Sequence, residues 1–156
     1  MSGFTLFETL LVLIIISIIL GFGFYYFNQI SQMNFLFEET NKRILDLVKT
    51  AREKAILGEE NSDWGVSFVN TSTDYVLLYK GSPTNIYYQL TMNKRFSFLN
   101  PAENSTLSVK FSKFNGVPSI STIISIKNNL TNEIKYLCIP TSSSPFLSTT
   151  STCLEF

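Results

Sequence analysis

The run Leu10–Phe27, LLVLIIISIILGFGFYYF, contains no charged residue and no proline. Its length reaches the lower edge of what a helix needs to cross the hydrocarbon layer of a bilayer. The run is apolar on every face for about five turns, so packing on one side within a globular domain would leave most of it in water. Gly21 and Gly23 weaken the helix late in the run. Tyr25 and Tyr26 follow, where an aromatic belt at a membrane surface falls. A cleaved secretory signal fits poorly, because such a signal opens on a basic segment and closes on a small-residue cleavage site. Here the opening MSG is uncharged and no A-x-A pattern follows the run. Bulk composition leans the same way: 45% apolar and 15% charged is the balance of a membrane or assembly protein.

Helical periodicity continues past Phe27. In residues 28–58, Met33, Phe37, Ile44, Leu47, Val48, Ala51 and Ala55 recur at three- and four-residue steps, one stripe of an amphipathic helix. Glu38, Lys42, Asp46, Lys49, Arg52 and Glu53 take the other side. Gly58 supplies a C-terminal stop. With no proline from Phe4 to Leu57, one helix over that span would be about 80 Å long at 1.5 Å per residue.

From Trp64 the period becomes two. WGVSFVN, DYVLLYK, NIYYQLTM, RFSFL, TLSVKFSKF, TIISIKN and EIKYLCI read as short strands separated by turns rich in Gly, Pro, Asn and Ser. Six or seven such strands predict an antiparallel sheet, folded on itself or packed against a helix, and the stripe of residues 33 to 55 is its natural partner. The fold class is α+β: a long N-terminal helix, half membrane-spanning and half amphipathic, packed on a β-rich head of residues 60–156.

One residue breaks the oily pattern. Glu8 lies inside the apolar segment, and a carboxylate in hydrocarbon costs about 2.5–3.5 kcal/mol on insertion scales, so its presence asks for a functional reason. A cut between Gly3 and Phe4 would supply one. The new amine on Phe4 would be cationic, and Glu8 of the same or a neighbouring chain could meet it. In a bundle of parallel oily helices that contact would also set the register, which apolar surfaces alone leave loose.

On these residues the chain resembles a known family. GFTLFETLLVL is similar to the leader junction and N-terminal helix of type IV pilins and type II secretion pseudopilins. The resemblance implies that residues 1–3 are a leader removed after Gly3 by the prepilin peptidase, that Phe4 is then N-methylated, and that Glu8 guides uptake into a filament. Thr5 also matches the motif. Residues 4–27 would be the membrane and filament-core helix, and residues 28–58 its amphipathic continuation. TAREKAILGEENSDWGVSF and VKFSKFNGVPSISTIIS resemble the helix end, first strand and later turn of the H-type minor pseudopilins and related minor pilins. The implied partners are other pilin or pseudopilin subunits, the peptidase, and an inner-membrane assembly platform. The implied location is the inner membrane with the head outside the cytoplasm, and afterwards an extracytoplasmic filament. The leader here lacks the Lys or Arg usual in the family, and the helix lacks the proline of many major pilins, which favours a minor subunit.

Other chemistries find little footing. Histidine is absent, which removes the commonest general base and metal ligand. No nucleophile elbow or phosphate loop appears, no cofactor is implied, and the expectation is a structural protein rather than an enzyme. Cys138 and Cys153 are too few for a zinc site. A disulfide is the simplest reading if this part of the chain lies outside the cytoplasm, and two unpaired thiols the reading if it does not. Glu59, Glu60 and Asp63 share one loop, but calcium-type alternation is missing and a solvated loop is favoured. A competence-type role in contacting DNA is one alternative; twelve basic against twelve acidic residues, with Lys110, Lys113, Lys127 and Lys135 scattered over strands, argue against nucleic acid as the main partner. The other alternative is a membrane-anchored binding module that does not polymerise. Asn70, Asn104 and Asn129 open N-x-S/T sequons, but Asn, Ser and Thr are also common turn residues.

Overall fold

The computed structural model describes residues 6–153. Helix α1 runs from Leu6 to Ile56, 51 residues. Gly58 ends it in the left-handed region, φ 62°, with its amide donating to the carbonyl of Ala55 at 3.0 Å. Glycine is needed there twice over, since a Cβ would also stand 2.4 Å from the Phe114 ring. The predicted stop at Gly58 is therefore seen as the residue just past the helix. A short 3-10 turn, Glu59–Asn61, leads into the strands.

Eight strands follow: β1 Trp64–Asn70, β2 Tyr75–Lys80, β3 Ile86–Thr91, β4 Phe96–Asn100, β5 Ser105–Phe111, β6 Thr122–Asn128, β7 Ile134–Ile139 and β8 Phe146–Ser148. They form two antiparallel sheets of four, ordered β3-β2-β1-β5 and β4-β6-β7-β8. The fold is thus α+β, with a long apolar N-terminal helix and an antiparallel head. Sequence patterning led to one sheet, folded on itself or laid on the helix. Instead β4 leaves the first sheet and pairs with β6, a non-local choice that period-two alternation cannot reveal. The eighth strand is hidden in the Ser/Thr-rich stretch before Cys153, where three residues pair with β7.

The chain divides into two compact units, Met1–Leu36 and Phe37–Phe156, meeting within α1. The second unit has one core. Phe37, Ile44, Val48, Ala51 and Ala55 of α1 join Trp64, Val66 and Phe68 of β1, Phe96 and Phe98 of β4, Ile124 and Ile126 of β6, and Leu137 and Ile139 of β7 in a single cluster. Steps of three and four residues on α1 and two on the strands bring these side chains to one interior. Ala51 and Ala55 are fully buried, as close approach of a helix to a sheet requires. The tryptophan–glycine pair reads the same way. Trp64 turns into the core, while a Cβ on Gly65 would meet the Tyr79 ring at 2.4 Å and the Val109 carbonyl at 2.7 Å. Leu47 packs at the edge of the cluster. The fully buried place that the spacing leaves open belongs to a polar residue, Asn41, whose Nδ2 donates to the Phe37 carbonyl at 2.8 Å while Oδ1 has no partner among the described residues.

Candidate functional site

Within the first unit, the described residues 6–36 are almost all surface. Leu6, Phe7, Leu10–Ile16, Ile18–Leu20 and Phe22–Phe27, glycine aside, are exposed as large apolar side chains, Phe22 and Phe24 at 73% each. An 18-residue window within α1 reaches a mean hydropathy of 2.6 with none of it buried in the chain, so the helix is long and apolar enough to cross a membrane. Its few polar groups are quiet. Thr9 Oγ1 donates to the Leu6 carbonyl at 2.9 Å and Ser17 Oγ to the Leu13 carbonyl at 2.8 Å, the way hydroxyls are satisfied in lipid. Glu8 stands exposed in the first turn, the one acidic group there and well placed against the positive end of the helix dipole. Gly3, Phe4 and Thr5, the other residues of the suspected processing and assembly motif, lie outside the described residues.

The head carries its charges in matched sets. Glu59 and Lys54 face each other at 2.6 and 2.7 Å, and Lys54 also lies over the rings of Trp64 at 4.7 Å and Tyr87 at 5.0 Å. That bond to Glu59 raises the Lys54 pKa above its ordinary 10.5 against the opposing effect of burial. Glu60 pairs with Lys80. Asp63 takes Lys110 at 3.1 Å and the amide of Lys113 at 3.1 Å, and Lys110 above all holds its carboxyl below the ordinary 3.8. The three acids considered for calcium thus each have their own lysine, and the loop clamps the end of α1 to β1, β2 and β5. Among the described residues no three His, Cys, Asp or Glu side chains converge on a metal position. Lys135 is likewise held by Glu38 at 2.7 Å, which raises its pKa. Lys127 shares no such pair among the described residues.

Cys138 and Cys153 form a disulfide, Cα atoms 5.9 Å apart, which ties the chain after β8 to the buried end of β7. An open cavity of about 610 Å³ lies between Glu38 and Lys135 on one side and residues 146–152 on the other. Of the three sequons, Asn70 is structural. It is 6% exposed, and its Nδ2 donates to the carbonyls of Phe98 at 3.0 Å and Pro101 at 2.7 Å, so that nitrogen is not presented to solvent. Asp74, read from the sequence as the first residue of the strand DYVLLYK, lies just before β2 and accepts from the amides of Thr71 at 3.0 Å and Phe98 at 2.8 Å. A turn of the form N-x-x-x-D between two strands was the available signal, but its long-range partner on β4 is set by tertiary structure alone.

Compared with protein-family models, with curated proteins and with solved structures, the chain has no significant match.

Proposed function

We propose that this chain is a structural subunit, a minor pilin or pseudopilin, of a type IV pilus-like or type II secretion filament, and not an enzyme. The observation that carries the reading is an oily helix exposed on every side with one carboxylate, Glu8, at its start. Such a surface needs two successive environments in an assembling system: lipid first, then neighbouring copies of the same helix. In lipid the apolar side chains gain nothing by meeting one another, so close packing and polar contacts decide the arrangement. Once the helix leaves lipid, each apolar side chain kept from water by its neighbours contributes about 1.5–3 kcal/mol. Glu8 against the methylated amine of Phe4 in an adjacent copy fixes the step, and the family resemblance of Gly3–Leu13 supports that pairing. The disulfide supports a head in an oxidising compartment outside the cytoplasm.

The test is Glu8→Ala, expressed in a host with a prepilin peptidase and filament machinery. The variant is expected to enter the membrane with its head folded. Its recovery in sheared filaments should fall by about tenfold or more, the equivalent of losing one charge-assisted contact. Recovery at the level of the unaltered chain contradicts the proposal, and favours an anchored module that does not polymerise.

A further inference from the structure

Four strand edges end the two sheets, and three are shielded to different degrees. At β4 the outward amide and carbonyl of Phe98 are taken by Asp74 and Asn70 side chains. At β5 the end is covered by residues 117–119: Phe111 bridges Pro118, and the Ser119 amide donates to the Lys110 carbonyl at 2.7 Å. β8 has only three residues. Such measures keep a sheet from recruiting stray strands.

β3 is different. Its six residues, IYYQLT, carry no charge, and all but Leu90 are exposed. Met92 donates to the Asp74 carbonyl at 2.8 Å, next in register to the pair Tyr75↔Thr91. By the alternation of an antiparallel ladder, Tyr88 and Leu90 bond inward to β2, and the backbone groups of Gln89 and Thr91 point away from it. Among the described residues, no backbone hydrogen bond other than the β2 pairing involves Ile86–Thr91. A bulge between Leu78 and Tyr79 leaves Tyr87 unpaired, and its ring turns to Trp64 at 5.2 Å. Tyr88 and Leu90 face a groove of about 300 Å³ whose other wall is Arg43, Asp46, Leu47 and Thr50 of α1. Arg43 is held by Glu39 at 2.6 Å, whereas Asp46 is exposed with no partner among the described residues.

We propose that the Gln89–Thr91 edge and this groove form a docking site for an extended segment of a different protein. That segment adds beside β3 as a further strand, sets an apolar side chain between Leu47 and Leu90, and brings a lysine or arginine to Asp46. An open row of backbone donors and acceptors is matched only by another extended chain. The groove is mixed, with Arg43 already held by Glu39, so the uncovered anion of Asp46 beside Leu47 and Leu90 selects a basic residue flanked by apolar ones. A second copy does not supply this. The uncovered part of β5, Ser105–Ser108, offers Ser and Thr, with Leu107 packed on its own core. The site stands independently of the filament proposal.

The probe is a labelled peptide of the chain's own β2 sequence, YVLLYK, which already pairs with β3 from the other side and carries a lysine. It is titrated by anisotropy into the full-length chain in detergent, with amide exchange followed in parallel. Expected are saturable binding, new protection at Gln89 and Thr91, and no loss of protection in β2. Gln89→Pro removes only an outward amide, so it should leave the thermal midpoint in place and weaken binding by about tenfold or more. Asp46→Asn should weaken it by about threefold, as an exposed ion pair does. A peptide methylated on alternate amide nitrogens should not bind. The proposal is overturned by absence of saturable binding, by binding that Gln89→Pro leaves unchanged, by displacement of β2, or by a dimer of the unliganded chain that Gln89→Pro dissociates.

Discussion

Residues 10–27 and residues 37–55 belong to the same helix and resolve the burden of apolar side chains in opposite ways. In the second stretch the apolar residues fall in one stripe, whose centre is fully buried against two sheets of its own chain while Leu45 and Leu47 at its margins are half-buried. In the first they cover every face, and none of the oily window is buried. Secondary structure alone therefore decides little. The arrangement of side chains around the helix decides whether its partner lies within the chain or outside it. A helix with one apolar face completes a domain; a helix apolar all round stays a half-made contact until lipid or other helices surround it.

The widest break between the two regions comes from separating them. A fragment starting at Met33 keeps the whole stripe of the core. It should be a water-soluble monomer that unfolds in one cooperative step, while the full chain needs detergent; a fragment that aggregates or melts without cooperativity would show that the oily half helps hold the head together. Next in size are matched aromatic truncations. Phe37, fully buried and 5.1 Å from the Phe96 ring, should cost about 3–5 kcal/mol when changed to alanine. Phe22→Ala should leave the denaturant midpoint of the head unmoved, because that ring is 73% exposed.

Closing a loop of 15 residues, the Cys138–Cys153 disulfide is worth about 3 kcal/mol by chain entropy. Urea unfolding with and without reductant should show a loss of that order in the head and no change in helicity of the oily half. The smallest effect is electrostatic. Asp63 has a lowered pKa, so its contribution is present above about 3.8 and fades as pH falls through the lower folded-state value. Lys54 and Lys135 have raised values, so theirs are present below about 10.5 and fade as pH rises through the higher folded-state values. Melting of the head is expected to be flat near neutrality and to decline at both extremes. Asp63→Asn should flatten the acid limb, and an unchanged acid limb would mean the lysine clamp on this loop contributes nothing.

Where a pattern was local, the sequence was legible. β1 and β6 lie where WGVSFVN and TIISIKN place them, and Gly58 ends the helix where its backbone freedom suggests. Where the cause was distant, it was not. The division into two sheets depends on β4 choosing β6 over its neighbours in sequence. Asn41 breaks the apolar stripe chemically but not geometrically, so reading for apolar residues skips a buried position. The lysines that occupy Glu59, Glu60 and Asp63 come from three different elements. Glu8 was visible for the opposite reason: a charge in an oily run needs no tertiary structure to stand out.

The Phe4 amine is the half of the proposed contact that processing must create. Intact-mass measurement of the protein purified from its membrane or filament tests this most directly. A chain lacking residues 1–3 and heavier by one methyl group on Phe4 is the predicted result. A chain that still begins at Met1 would have no Phe4 amine to bring to a neighbouring Glu8 and would contradict the filament assignment.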